Sequence, residues 1–471
     1  FNSFAFETNK GSMINNHLVN AILNVSSGDL IISGIYDVEL SKVRDIEILP
    51  NRGIVNVQKN RNFIFDGKMK AGGGRLNLFG RNFHFDYERF SVDLKNIDSI
   101  QLSVPVSSKI NKNKYTLKTL NTVLEYVDDA VAHSKGEIRL DHPSNKSGLR
   151  KDSFPEFPIF NSFQRSFAYY DHNKSRYNRE YKRDKFYFHL DPYQIDSIDS
   201  YKADGLFFTG YLESSGIFPR INDTLRVQDD LSLGFNTFTP DSGLPLYGGR
   251  AKYYNEISLS NQGLKGEGSF EFHNSYAKAN ILFLPDSTNL VTSSFKISEV
   301  TSGIEFPEVY NTETYATYYK LDDQLDVRMK DQPFDFYNSN ATFYGNLFMK
   351  PAELTGEGIM KLEKVEVSAD VFKYNANWFD SENSSLQFFD NQGNIAVTAD
   401  NLRSHIDLEM RDAVFYSNNS DNSKFNFPAN QYICRKFNNC TWNMDKEYFK
   451  ISIEDSIKGF AEFISTHKDQ E

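Results

Sequence analysis

The chain repeats itself, and the repeat carries the period of β-structure. Leu264-Lys265-Gly266-Glu267-Gly268 returns as Leu354-Thr355-Gly356-Glu357-Gly358, an offset of 90 residues (354 − 264). Upstream at the same offset, Ala251, Tyr253, Tyr254, Ile257 and Leu259 answer to Ala341, Phe343, Tyr344, Leu347 and Met349. Downstream, Phe270, Phe272, Ala279 and Ile281 answer to Met360, Leu362, Ala369 and Val371. Apolar residues at every second position, interrupted by Gly-x-Gly, describe strands that turn a corner. Glycine suits such a corner because it adopts positive φ and lets another backbone come close, which leaves Glu267 and Glu357 pointing outward. A second, separate echo has the same strand period: Phe83-x-Phe85-x-Tyr87-Glu88-x-Phe90-x-Val92-Asp93 against Phe186-x-Phe188-x-Leu190-Asp191-x-Tyr193-x-Ile195-Asp196.

Between the echoes the same pattern continues. Ile46/Ile48, Val55/Val57, Phe63/Phe65, Leu76/Leu78, Phe83/Phe85 and Ile100/Leu102/Val104 alternate with polar partners, and Asn51-Arg52-Gly53 and Gly72-Gly73-Gly74 supply bends. The sequence therefore predicts an all-β, elongated array of stacked strands. A β-solenoid, whose rungs share one core, is the first choice, and tandem β-sandwiches with a 90-residue period are the second. Aromatic residues reach 15% of the chain, with 41 Phe and 26 Tyr against 2 Trp. Strands favour such residues, and the joint excess of Phe, Tyr, Asn, Lys and Ile also matches the codon usage of an AT-rich genome. A surface of rings for stacking sugars is the functional alternative.

One segment breaks the period. Leu117, Leu120, Leu124, Val127 and Val131 recur at three- and four-residue steps before Gly136, which predicts an accessory helix over 116–133. Residues 141–185 are rich in Pro, Asn and charge, and read as a functional loop or a connection. The expected organisation is a strand array over 1–114, helix and irregular loop over 115–185, an array with the first repeat over 186–320, and an array with the second over 321–471. The array is expected to continue beyond Glu471. The chain starts at Phe1 without an initiator Met or a signal-like apolar stretch, and is expected to be processed or cut from a longer polypeptide.

A net charge of −11 argues against a nucleic-acid partner, because phosphate neutralisation needs a basic surface. The densest basic stretch, Lys174 to Lys185, is diluted by Glu180 and Asp184 and reads as a solvated loop. No run approaches about 18 apolar residues, so no membrane-spanning helix is expected. The two cysteines, Cys434 and Cys440, have five residues between them. That spacing fits a disulfide stapling a hairpin around Asn438-Asn439, or two reduced buried thiols, and it matches no zinc pattern. Nucleophile elbow, zincin helix and phosphate-binding loop are absent from the sequence. His84, His189 and His405 sit on separate strand-like segments, and Asp128-Asp129, Asp229-Asp230 and Asp322-Asp323 read as turn residues. No catalytic, cofactor-binding or metal-binding residue is assigned, and no cofactor is implied.

Two series of segments carry a resemblance. Gly216-Ile217-Phe218-Pro219, Leu231-Ser232-Leu233-Gly234-Phe235, Pro245-Leu246-Tyr247-Gly248-Gly249, Leu259-Ser260-Asn261 with Gly263-Leu264, and Pro285-Asp286-Ser287 form one. Gln431-Tyr432-Ile433-Cys434, Trp442 with Met444-Asp445-Lys446, and Phe463-Ile464-Ser465-Thr466-His467 form the other. Together they resemble segments of very large β-rich envelope proteins of Bacteroidota over about half the chain. The resemblance implies an extracytoplasmic place, periplasmic or at the cell surface, and transfers no catalytic residue. Ile395-Ala396-Val397-Thr398-Ala399-Asp400-Asn401 with Ile406-Asp407-Leu408 also resembles the β-taco proteins of lipopolysaccharide transport.

Three functions follow as expectations. The first is a non-enzymatic envelope scaffold or surface spacer, with other envelope or surface proteins as partners. The second is a lipid or glycolipid conduit, and the third a carbohydrate-binding or carbohydrate-cleaving β-helix. The interior discriminates the first two. The residues expected to face it are Phe270, Phe272, Ile281 and Phe283 in one repeat and Met360, Leu362, Val371 and Lys373 in the other. The drift from Phe283 to Lys373 suggests an interior that is filled and narrows there.

Overall fold

Alternation at period 2 becomes strand almost throughout. The computed structural model describes residues 12–14, 17–107, 115–126, 135–171, 180–418, 423–452 and 461–467. Strands make up 62% and there is no α-helix among the described residues. Every described pairing is antiparallel, and consecutive strands along the chain are commonly neighbours in the sheet. The chain divides into two compact units, residues 1–237 with 258–264, and residues 238–257 with 265–471.

The accessory helix is not formed over its described residues. Residues 116–125 lie in the strand Tyr115–Glu125, which pairs with Ser91–Ser107 and Ser166–Tyr169; residues 127–134 lie outside the described residues. The three- and four-residue spacing that suggested a helix has a different cause. A register irregularity between Thr119 and Val123 shifts the alternation, so Leu120, Thr122 and Leu124 face in while Leu117 stays more than one-third exposed.

Long strands in the first unit bend and change wall. Leu76–Asp86 pairs along its whole length with Phe63–Ala71 and with Ser91–Ser107. Its inward residues are Leu76 and Leu78 before the bend and Phe83 and Phe85 after it, with Arg81 and Asn82 turned out between them. The phase change lets both halves face the same interior. Beyond Ser91–Ser107 the two halves separate into two walls. One continues through Tyr115–Glu125, Ser166–Tyr169, Phe186–Leu190, Phe207–Ser214 and Ile221–Val227. The other continues through Gly136–Arg139, Ile159–Ser162 and Gln194–Ile195.

The second unit builds the same two walls. Ser287–Ile297 pairs at one end with Thr314–Tyr319 and at the other with Val309–Asn311. Both walls rejoin at Ala341–Lys350, which takes Phe334–Phe336 on one half and Gln324–Met329 on the other. Three more long strands follow it, Glu353–Lys361, Val365–Tyr374 and Trp378–Phe389. After Ile395–Asp407 the walls part again, one through Lys424–Phe427, Tyr432–Arg435 and Glu462–Ser465, the other through Asp412–Ser417, Asn439–Asn443 and Tyr448–Ser452.

The bend has a sequence signature. Gly345 stands opposite Gly358 in register, and a Cβ on Gly345 would lie 2.1 Å from the Glu357 carbonyl oxygen. Gly358 has φ of 148°, a conformation that disfavours any side chain. Gly67 opposite Gly80 repeats the arrangement in the first unit. Glu267 and Glu357 are exposed, as the outward reading of the corner requires.

The 90-residue repeat is structural as well as textual. Ala251–Ser260 and Ala341–Lys350 have the same bounds at that offset. The correspondence fails at one place. In the second repeat Asp370 and Val371 stand opposite the single Glu357, an irregularity in the pairing between Gly356 and Gly358. This extra residue turns Val371 outward, 41% exposed, and Lys373 with it, while Phe372 and Tyr374 become the buried residues. The inward expectation for Val371 and Lys373 is therefore corrected, and Leu362 is half-buried. Phe283 has Tyr374 as its counterpart, and the interior does not narrow there.

Candidate functional site

The place with functional potential is the mouth of each unit, where the free rims of the two walls face one another. The 11 residues of Leu76–Asp86 would span roughly 33 Å if straight. Arg44 lies in the turn at one rim, which Gly73 joins through its N–H to the Asp45 carbonyl. Asp141 lies at the opposite rim, one residue past Leu140, whose N–H donates to Phe90. Arg44 Nε nevertheless donates to Asp141 Oδ2 at 2.9 Å. The rims have been brought together by the fold in the strands.

Arg44 is 1% exposed and its donors are fully engaged. Nη2 donates to Asp141 Oδ1 at 3.3 Å, to the Phe154 carbonyl at 2.7 Å and to the Lys151 carbonyl at 3.5 Å. Nη1 donates to Asp199 at 3.2 Å and to the Phe157 carbonyl at 2.9 Å. Burial works against the charged guanidinium, but the bonds to Asp141 and Asp199 outweigh it and raise its pKa. Lys151 adds an ion pair with Asp199 at 2.7 Å. Nearby, Tyr201 donates its hydroxyl to the Arg75 carbonyl. The first part of the 141–185 stretch, from Asp141 to Phe157, is thus organised around one arginine. Nothing in the local sequence of Arg44 marks it, because its partners lie 97 to 155 residues away.

Tyrosines close the mouth of the second unit. Tyr337 donates its hydroxyl to the Trp378 carbonyl on the opposite rim at 3.1 Å. The Tyr247 hydroxyl likewise crosses to the opposite rim, where its one hydrogen is shared between the carbonyls of Leu284 at 2.7 Å and Ser287 at 2.9 Å. The two are 90 residues apart (337 − 247), and both have left-handed backbones, with φ of 49° and 54°. The repeat extends four residues further upstream than Ala251/Ala341, and that extension is the signal that could have found them. Past these clasps, a hollow of about 180 Å³ is lined by Leu362, Leu408, Trp442 and Met444 together with the polar Asn340, Glu363 and Arg411 and the ion pair Lys364–Glu447.

Between the walls the space is filled by side chains. Phe343 on one wall meets Phe372 and Tyr374 on the other, with ring centroids 5.7 and 5.8 Å apart. Tyr253 meets Phe283 at 5.0 Å, Tyr318 meets Phe272 at 5.1 Å, and Phe388 meets Trp442 at 4.9 Å. In the first unit Tyr126 reaches across to Ser162 at 2.6 Å.

The cysteines do not share a hairpin. Cys434 faces Phe425 and Phe463 in register, whereas Cys440 faces Phe415 and Ile451 on the other wall. The five residues between them cross from wall to wall. Both are free and buried. Burial pushes the Cys434 thiol up to about 11, and burial together with the neighbouring Cys434 pushes Cys440 up to about 12.

The other singled-out residues stay apart. His84 lies 3.9 Å from Asp93, and His405 Nδ1 lies 2.7 Å from Asp380. His189 is buried against Tyr211, at a ring distance of 4.6 Å, and Phe167, and desolvation lowers its pKa. Arg183, from the basic stretch, pairs with Asp171 and Glu125, while Lys174, Arg176 and Arg179 lie outside the described residues, as do Asp128 and Asp129. Asp230 accepts from Ser232, and Asp323 accepts from Tyr318. Among the described residues no group of three or more His, Cys, Asp or Glu is arranged to hold a metal ion, and no helix is long and apolar enough to cross a membrane. Compared with known proteins, the chain matches no protein-family model and no curated sequence.

Proposed function

We propose that this chain is a structural segment of an extracytoplasmic envelope or surface protein, a scaffold or spacer without catalytic activity. The observation that carries the reading is the contact between rings of opposite walls, Phe343 with Phe372 and Tyr374 above all. A conduit needs an apolar interior left open along its length, and here that volume is taken by the protein's own side chains. Clasped rims support the same reading: Tyr247, Tyr337 and Arg44 hold the walls together rather than apart. The matching finer architecture is solenoid-like, successive folded rungs adding to one shared core within a unit. Its partners would be other envelope or surface proteins, and its charge of −11 disfavours nucleic acid.

Lipid extraction of the purified chain followed by mass spectrometry tests the proposal. A lipid-free protein that binds no acyl probe between the walls supports the scaffold. Stoichiometric co-purifying lipid or glycolipid overturns it in favour of transport.

A further inference from the structure

We infer that residues 141–158 and 196–201 form a strap across the mouth of the first unit, able to open as a body while the walls stay folded. Arg44 is its pin. Five acceptor groups, the carboxylates of Asp141 and Asp199 and the carbonyls of Lys151, Phe154 and Phe157, converge on this one guanidinium. They come from three separate parts of the strap, so losing the pin strands all of them together.

The rest of the strap is bonded mostly to itself. Asn145 donates to His142, Gly148 to Asn145, Ser153 to Arg150, and Phe154 to Lys151. Its two pieces are joined by Ser197 donating to Glu156 and Ile198 to Pro158. Polar attachments to the facing rim are Arg44 itself, Lys151 Nζ to the Val43 carbonyl at 3.4 Å, and Tyr201 to Arg75, with Gly148 packed on Val43 and Ile198 on Gly72; to its own side the strap adds Lys146, paired with Glu88 at 3.6 Å and set over the Tyr87 ring. A segment with dense internal bonds and few external ones opens cooperatively, as a unit of its own.

The pin is also the contact most readily repaid by water. Arg44, Asp141 and Asp199 are each deprived of solvent, their side chains 1%, 1% and 6% exposed. Desolvating such groups offsets much of their attraction, so their rehydration assists opening in a way that parting two apolar surfaces does not. Opening would withdraw Phe157 and Ile198, both buried, and uncover the apolar faces behind them. Opening of the strap would accordingly expose packed apolar faces at the mouth of this unit.

Native-state hydrogen exchange on the full chain, in rising sub-denaturing urea, tests the opening of the strap. The strap amides of Gly148, Ser153, Phe154, Ser197 and Ile198 are expected to exchange as one group, at least ~100-fold faster than those of Leu76–Asp86. Arg44→Gln should accelerate the strap amides alone and increase binding of an apolar dye. Lys151→Met, which removes a peripheral pair, should do the same to a smaller degree. If Arg44→Gln fails to fold, the wild-type exchange order and Lys151→Met decide the matter. Strap amides exchanging no faster than the walls, or a variant that speeds strap and walls equally, would overturn the inference.

Discussion

Two adjacent side chains in the second repeat should respond oppositely to truncation. Sequence alignment places Val371 where the first repeat has the buried Ile281, yet the extra residue opposite Glu357 leaves Val371 41% exposed and Phe372 fully buried. Val371→Ala should therefore cost no more than about 0.5 kcal/mol, the range of surface substitutions. Phe372→Ala removes a ring that meets Phe343 at 5.7 Å, Tyr374 at 5.8 Å and Phe379 at 5.9 Å. Partners on both walls hold that space open, so the cavity collapses poorly and the cost should reach about 3–5 kcal/mol. Ile281→Ala, at the aligned position in the first repeat, should cost about 2–5 kcal/mol. The assay is urea unfolding followed by far-UV circular dichroism and tyrosine fluorescence, with the slope checked for constancy so that a midpoint shift reports stability. The contrast is decisive because an open groove would leave Phe372 half-solvated and its truncation cheap. A Val371→Ala penalty equal to that of Phe372→Ala would refute both the bulge and the filled interior.

Other expectations are simpler. Tyr337→Phe deletes the hydroxyl donated to Trp378 and should cost about 1 kcal/mol; the equivalent Tyr247→Phe, which loses three partners, should cost more, both read by urea unfolding. Burial lowers the pKa of His189 in the folded state below the ~6.5 of the unfolded chain, so its contribution to stability declines as pH falls below that value. His189→Phe should flatten that part of the stability–pH curve, and an unchanged slope would count against a neutral buried ring. Cys434 and Cys440, buried and with raised thiol pKa values, should resist a thiol reagent at pH 8 and both react once the protein is unfolded. Rapid labelling of either in the native protein would contradict their placement.

The strand architecture was legible because alternation and Gly-x-Gly bends are local signals, and the repeat multiplied them. Leu117, Leu120 and Leu124 misled because an irregular register imitates helical spacing within one strand. Val371 misled for the related reason that one inserted residue inverts every side chain beyond it until the phase is restored. Arg44, Asp141 and Asp199 were invisible as a group, since only the tertiary fold brings together residues so distant in sequence. The Tyr247/Tyr337 pair lay within reach, at the same offset as residues already matched, but its meaning depended on knowing which rim stood opposite.

Folding each long strand across both walls has a consequence for how such a chain can change length. A hairpin such as Glu353–Lys361 with Val365–Tyr374 brings material to both walls at once. Adding or deleting one therefore lengthens or shortens the walls in step and leaves the rims aligned. Where the walls run separately, as between Ile395–Asp407 and the strands after it, a change in one wall alone would leave the other's inner face without a counterpart. Growth by whole folded hairpins is tolerated by this geometry, and the 90-residue period, which also holds the separate-wall strands Val309–Asn311 to Phe334–Phe336, likewise supplies both walls together.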